Sequence, residues 1–439
     1  MSIEWISILV VVGMLGLMTL GLPLAWSIGA VAVALTLYKF DPGVLMMLVS
    51  RVFDMSLNYT LMSVPLFVLM AGILQRSGVA DQLFRAVYVW AGNLRGGLAI
   101  GTILANAIMA SMVGIIGAEI VTFGLIALPE MLRKNYDNRI ALGSIAAGGG
   151  LATLIPPSVV FIVYGMTAGC SVGELFLAGV LPGFLLGLMF LLYVYIRCRI
   201  SPHLAPLVES EEGDLTFLQK LATLKDLVLP VMITIGVLGS IYAGIATPSE
   251  AAGVGVVLSI AAAAVNRRLN WRMLKESLYE TLKISCMLSW LFFGAQTIIG
   301  AYTLAGGTTF VTNSLKAMDL GPWGTVVLMN LIWIFLGCFL DWIGILFLTV
   351  PIFLPIILDM GMDPVWFGVV YCMNMHIAYL TPPFAPSAFY MKSITPPEIS
   401  MGQIYMASLP YLWLTVVATV VVTAWPELSL WLPKLLLRH

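Results

Sequence analysis

Three ionisable side chains stand inside apolar stretches of this 439-residue chain, each close to a helix-breaking signal. Glu119 follows a segment punctuated by Gly114 and Gly117, with Ser111 just before it. Asp341 lies between Gly337 and Gly344. His376, with Asn374, precedes Leu380-Thr381-Pro382-Pro383-Phe384. A second paired proline, in Leu154-Ile155-Pro156-Pro157-Ser158, comes shortly after Gly148-Gly149-Gly150. Paired prolines remove two backbone donors and push the preceding residue out of helical geometry, so each run becomes two half-helices around an unwound segment. Unwound carbonyls near Gly148, Gly150 and Ile155, and between Asn374 and Thr381, are hard oxygen donors of the kind that hold sodium. Ser158, Thr381 and Ser387 add hydroxyl oxygens. Half-helix N-termini after each Pro-Pro pair and each glycine-marked tip present N–H groups and a positive dipole end to an anion. Carbonyls for a cation beside N-termini for a carboxylate are the parts that ion-coupled movement of an organic anion requires. Glu119 and Asp341 either neutralise a cation at such a place or cap the half-helix that follows. His376 is either a hydrogen-bonded structural histidine or part of the pathway.

The elements that position these residues follow from composition. The chain is 60% hydrophobic and 10% charged, with a mean hydropathy of +1.01. A soluble domain carries about 25% charged residues, so this is an integral membrane protein. Apolar runs of helical length with short polar joints exclude a barrel of alternating strands and give an all-α polytopic architecture. The opening residues lack the basic segment of a signal peptide, so the first helix is expected to be retained. Five widely spaced cysteines in mostly apolar runs read as small buried hydrophobes rather than metal ligands or disulfides. No Gly-x-Ser-x-Gly elbow, His-Glu-x-x-His helix or phosphate-binding Gly-Lys-Ser/Thr loop occurs, which argues against an enzyme. Without a nucleotide site, active transport must draw on an ion gradient or another subunit. No cofactor is expected beyond a coupling sodium ion, and nothing points to nucleic acid.

The chain divides into two matching halves. The first, 1–197, carries scaffold helices at 5–20, 23–38 and 59–75 with an amphipathic segment at 43–57, then an arm at 79–94. A re-entrant hairpin at 96–132 has its tip near 113–118, and the first broken helix, 139–167, and a crossing at 174–197 follow. A polar linker, 198–226, joins it to the second half, 227–425. There helices 227–246 and 249–265, an amphipathic segment 267–282 and a crossing 284–300 precede an arm at 306–318. A hairpin at 322–358, the second broken helix at 364–392 and a crossing at 402–425 complete it, and 426–439 is a tail. An offset of 226 aligns Pro129 with Pro355, Asp137 with Asp363, Pro156-Pro157 with Pro382-Pro383, and Tyr164 with Tyr390. At an offset of 229, Ser171-Val172-Gly173-Glu174 meets Ser400-Met401-Gly402-Gln403. Ordered matches at near-constant offset across a whole half mark an internal repeat. Five crossings per half is an odd number, so the halves are expected to be inverted, with a transport site at their midplane interface. The positive-inside rule gives an independent orientation. With the N-terminus outside, only Lys39, Arg51, Lys316, Lys434 and Arg438 of the 21 Lys and Arg lie outside, and the remaining 16 lie in the cytoplasm.

The pattern resembles the large membrane subunit of tripartite ATP-independent periplasmic (TRAP) transporters over essentially the whole chain. The resemblance rests on Ile155-Pro156-Pro157-Ser158 with Tyr164-Gly165, on Leu175-Phe176-Leu177-Ala178-Gly179 running to Leu181-Pro182-Gly183, on Gly361-Met362-Asp363-Pro364 with Phe367-Gly368, and on Leu380-Thr381-Pro382-Pro383. It implies a sodium-coupled importer of organic acids in the bacterial inner membrane, with a periplasmic N-terminus and an elevator motion. It also implies delivery by a periplasmic substrate-binding protein and a small four-helix membrane subunit that braces the scaffold in the bilayer. Sodium would bind where each hairpin tip meets its own broken helix, 111–118 with 148–155 and 337–344 with 374–381. The chain departs from the family where a Ser-Gly-Ser tip is common, having Val113-Gly114-Ile115-Ile116-Gly117, and after the second break, where it has Phe384-Ala385-Pro386. The second variant is similar to branches handling 2-oxo acids or bulkier carboxylates. A symporter of divalent anions that needs no binding protein is the alternative of similar architecture.

Overall fold

Local capping decides where the repeated elements begin, and it does so in pairs. Asp137 accepts from the Arg139 N–H at 2.8 Å and starts the helix Asn138–Gly150; its counterpart Asp363 accepts from Val365 at 2.8 Å and starts Pro364–Leu380. Ser171 caps Val172–Ile200 through the Glu174 N–H, and Ser400 caps Met401–Ala424 through that of Gln403. A side-chain oxygen at such a position satisfies one of the N–H groups that a helix start leaves without an internal partner. Asp363→Ala should therefore lower stability by about 0.5–2 kcal/mol. Heating the purified protein should show a lower melting temperature, while the sodium dependence of whatever uptake remains stays unchanged.

In this computed structural model, residues 2–91, 94–114, 117–206 and 217–437 are described, and every regular element among them is helical. Seven of these helices are long and apolar enough to cross a membrane. The first hairpin has arms Gly97–Val113 and Ala118–Arg133, and the second has arms Gly321–Gly337 and Trp342–Asp359. Each Pro-Pro run is broken. Asn138–Gly150 continues through a short 3-10 turn, Leu151–Thr153, and resumes as Val159–Ala168, while Pro364–Leu380 resumes as Pro386–Ile394. Both Pro-Pro bonds are cis.

Two boundaries differ from the sequence expectation. The amphipathic segment 267–282 and the crossing 284–300 form one 34-residue helix, Trp271–Leu304. In the first half the same stretch is interrupted between Val44–Ser56 and Ser63–Arg76 by the turn Tyr59–Met62. Asn58 holds that turn by accepting from the Thr60 N–H, whereas its counterpart at offset 226 is Ile284, whose side chain offers the backbone no such partner. The tail also contains a helix, Glu427–Leu436, which packs on Val172–Ile200 and buries Leu430 and Pro433. Of the linker, 207–216 lie outside the described residues; past them, Phe217–Thr223 already leads into the next helix.

Packing repeats across the halves. Leu24–Lys39 packs along Trp271–Leu304, and its counterpart Pro248–Val265 packs along Ser63–Arg76. The Trp26 and Trp290 rings stack at 4.8 Å in the first of these seams. The second arm of each hairpin lies on the far half-helix of the other broken helix, Ala118–Arg133 on Pro386–Ile394 and Trp342–Asp359 on Val159–Ala168. Hairpins and broken helices thus share one buried core. Many large apolar side chains, Trp5, Trp26 and Phe184 among them, remain exposed on the outer faces, as lipid contact requires.

Candidate functional site

The two breaks are closed by the same bond. Ser158 Oγ donates to the Thr153 carbonyl at 2.8 Å, and Ser387 Oγ donates to the Tyr379 carbonyl at 2.8 Å. Each serine ties the start of the second half-helix back to the end of the first, which holds an unwound loop in place without a regular ladder. The breaks also meet each other. The His376 ring lies against Gly150, its counterpart at offset 226, where only a hydrogen leaves room for the imidazole. His376 Nδ1 pairs with Thr153 Oγ1 at 3.3 Å, while Nε2 is buried with no partner. Thr381 Oγ1 donates to the Ile377 carbonyl at 2.7 Å, and the Pro383 carbonyl accepts from Tyr405.

Each hairpin reaches into these breaks through equivalent residues. In the first, Gly114 is left-handed at φ +63°, its carbonyl accepts from Val159 N–H at 3.2 Å, and a Cβ there would run into the Pro157 carbonyl. Gly117, at φ +94°, lies against the Tyr390 ring of the second break. Ile115 and Ile116, between them, lie outside the described residues. Gly148 faces Asn106, and Asn374, its counterpart, donates to Asn330 Oδ1 and to the Val370 carbonyl. Gly337 packs on Ala378, which brings the second hairpin onto its own break.

Four expected site residues are placed elsewhere or otherwise. Ser111 shares a 3.0 Å hydrogen bond with Thr234 of a scaffold helix and is not turned to the first break. Gly344 lies against Leu24, also on the scaffold, and the Ile155 side chain packs on Gly183. Glu119 does not cap its helix. It is 1% exposed and neither carboxylate oxygen has a hydrogen-bond partner. Asp341 differs, occupying the N-cap position of Trp342–Asp359 with its carboxylate beside the Trp342 and Ile343 N–H groups, short of a full cap bond.

Both tips and both breaks border one cavity of about 160 Å³. Gly114 comes from the first tip and Asp341 and Trp342 from the second, Val159 from the first break and Tyr379 and Pro386 from the second. The scaffold closes it with Val68 and with Ile284, Met287 and Leu288 of the long helix. The cavity therefore lies where the scaffold meets the hairpin core. Three helices begin on its wall, Val159–Ala168, Trp342–Asp359 and Pro386–Ile394. Their positive ends favour an anion inside, and Asp341 favours a cation beside it. A larger cleft of about 290 Å³ between the first helix, the long helix and the second hairpin has, among the described residues, no carboxylate or basic group on its wall. It carries none of this chemistry.

Reading the sequence missed Asn106, Asn330, Tyr379, Tyr390 and Thr153. A signal existed for the two asparagines, which are isolated amides in apolar hairpin arms at an offset of 224. Tyr379 and Tyr390 carried none, because a tyrosine in an apolar run reads as core.

Comparison with known proteins gives the same architecture. The family model described as "Tripartite ATP-independent periplasmic transporter, DctM component" matches residues 11–428. A C4-dicarboxylate TRAP transporter large permease protein DctM of Pseudomonas aeruginosa is 33% identical over 403 residues, covering 91% of this chain and 92% of its own. Its namesake in Vibrio cholerae is 30% identical over 460 residues, covering 100% and 98%. Among solved structures, the Alcanivorax borkumensis YdaH transporter superposes with a TM-score of 0.58 at 15% identity, over 89% of this chain and 90% of that one, a likeness of fold alone. The chain belongs to the DctM family, the large permease component of tripartite ATP-independent periplasmic transporters: it is a multi-pass membrane subunit of a secondary transporter for organic acids that works with a substrate-binding protein, not an enzyme.

Proposed function

We propose that this subunit takes up an organic acid across the bacterial inner membrane by sodium-coupled symport. A periplasmic binding protein delivers the acid, and a small four-helix membrane subunit braces the scaffold. The N-terminus is periplasmic, the two halves are inverted repeats, and the hairpin core slides as an elevator against the scaffold. One observation carries the reading. A single cavity at the scaffold boundary receives three helix N-termini, suited to a carboxylate, together with the Asp341 carboxylate, suited to a cation. Supporting it, the buried and unpartnered oxygens of Glu119, Asn106 and Asn374 surround the same core. A buried carboxylate without a donor is costly unless a cation or proton accompanies it.

Proteoliposomes test this directly. Permease, small subunit and binding protein together should accumulate the acid under an inward sodium gradient, and omission of the binding protein should stop it. Sodium-driven uptake by the chain alone would instead establish a self-sufficient symporter. At the second break, Thr381→Ala should raise the sodium concentration for half-maximal uptake more than it lowers the folded protein recovered from membranes. An unchanged sodium requirement would remove Thr381 from the ion path.

A further inference from the structure

The two arms begin alike and are held differently. Val79–Ala91 follows Gly78 at φ +79°, and Gly307–Ala317 follows Gly306 at φ +86°, a left-handed joint that glycine adopts without a Cβ penalty. Before each joint stands a carbonyl held by the scaffold of the other half. Asn266, which closes Pro248–Val265, donates to the Ser77 carbonyl at 3.1 Å. Lys39, which ends Leu24–Lys39, donates through Nζ to the Ala305 carbonyl at 3.0 Å. Donors and carbonyls correspond at offsets of 227 and 228.

From there the halves diverge. In the first, Gln82 Nε2 donates to Asn266 Oδ1 at 3.0 Å and Asn266 Nδ2 donates back to Gln82 at 3.2 Å, so the clasp reaches one turn into the arm. That arm buries Val79, Ala80, Leu83, Phe84 and Val87 and lies along Gly97–Val113 of the first hairpin. The second arm is held at its joint by Lys39, an exposed side chain, and among its described residues only Gly307 and Leu315 are buried. A Cβ at Gly306 would meet nothing within 4 Å, whereas one at Gly78 would touch the Arg268 side chain at 3.7 Å. Beside the second arm lies the cleft of about 290 Å³, lined by its Thr308 and Val311 and by Val10, Ile298, Ile332 and Phe347.

We propose that the second arm is the moving joint of this protein: it swings about Gly306 into the cleft, with Lys39 as its releasable latch, while the first arm is a fixed strut. For the first arm to move, its amide clasp and its buried face must be given up together. The second arm is latched by one bond from a long, exposed side chain, with open space beside it. The second hairpin, into which this arm leads, is then the freer of the two. The proposal rests on the sliding motion read above and says which joint permits it.

Hydrogen exchange on the full-length permease in lipid nanodiscs reads the joints without any transport. Backbone amides of 307–317 should exchange about tenfold faster than those of 79–91. Lys39→Met should speed exchange in 307–317 by about threefold or more, the loss of one hydrogen bond, and leave 79–91 unchanged, and Lys39→Arg should restore the slower rate. In the reconstituted three-component system, Val311→Trp, which fills the cleft, should lower the maximal uptake rate several-fold. Its sodium concentration for half-maximal uptake should stay unchanged and its melting temperature be kept or raised. Equal exchange in the two arms overturns the proposal, as does a Lys39→Met variant without effect on 307–317 or a normal uptake rate in Val311→Trp. A lower melting temperature in Val311→Trp also overturns it, because it would mark packed space rather than room to move. The two readings fail separately. Sodium-driven uptake without the exchange difference would uphold transport and refute the moving arm, and the exchange difference without uptake would do the reverse.

Discussion

Gly114→Ala should nearly abolish uptake while leaving most of the helices in place. Gly114 adopts φ +63°, and an added Cβ would strike the carbonyl of Pro157, which is backbone and cannot rotate aside. A left-handed alanine costs about 1–2 kcal/mol, and overpacking a tight contact costs about 1–3 kcal/mol more. A combined penalty near 3 kcal/mol would reduce the population of the docked tip by roughly a hundredfold. The first tip would lift off the break, and the Gly114 carbonyl would no longer receive the Val159 N–H. Uptake per folded molecule, with folded protein measured by size-exclusion profile, gives the answer. Near-normal uptake would mean that the working protein does not depend on this contact.

The second large effect is expected from Asp341→Asn. Asparagine keeps the shape and the N-cap position of Asp341 but removes the one carboxylate that the described residues place on the cavity wall. If that charge holds the coupling cation, losing it costs on the order of 1.5–3 kcal/mol of binding, about 10- to 100-fold in sodium affinity. Uptake at low sodium should collapse and recover in part at high sodium, with little change in melting temperature. A variant that kept its sodium curve would place the coupling ion elsewhere, and the unpartnered carboxylate of Glu119 would be the next place to look.

The two positions illustrate different degrees of legibility. Asp341 was visible because a carboxylate in an apolar run has no inexpensive explanation, so its mere presence pointed to an ion, a partner or a cap. The breaks were visible for a similar reason, since paired prolines forbid a continuous helix wherever they occur. Capping residues and near-constant offsets then exposed the repeat, because equivalent helices need equivalent starts. Ser158 and Ser387 read as oxygen donors from their hydroxyls alone, but their bonds to the Thr153 and Tyr379 carbonyls depend on how each loop folds back. Glu119 could be read as a cap from its place in the first turn of a helix. Only the packed structure shows that its carboxylate turns inward with no N–H to accept.

Composition, helix breakers and charge bias are local properties, so the sequence alone determined that this is a helical membrane protein with two equivalent broken helices. Which residues face one another was decided by tertiary structure. Tyr379 lies in the last turn of Pro364–Leu380 and Val68 and Leu288 lie on scaffold helices far away in the chain, yet all three border the same cavity as Gly114 and Asp341. Hydrophobic periodicity says which face of a helix is buried but not against what, because burial is non-directional. The crossing of the two hairpins over each other's half-helices supplies that missing information, and it turns two separate tips into one chamber.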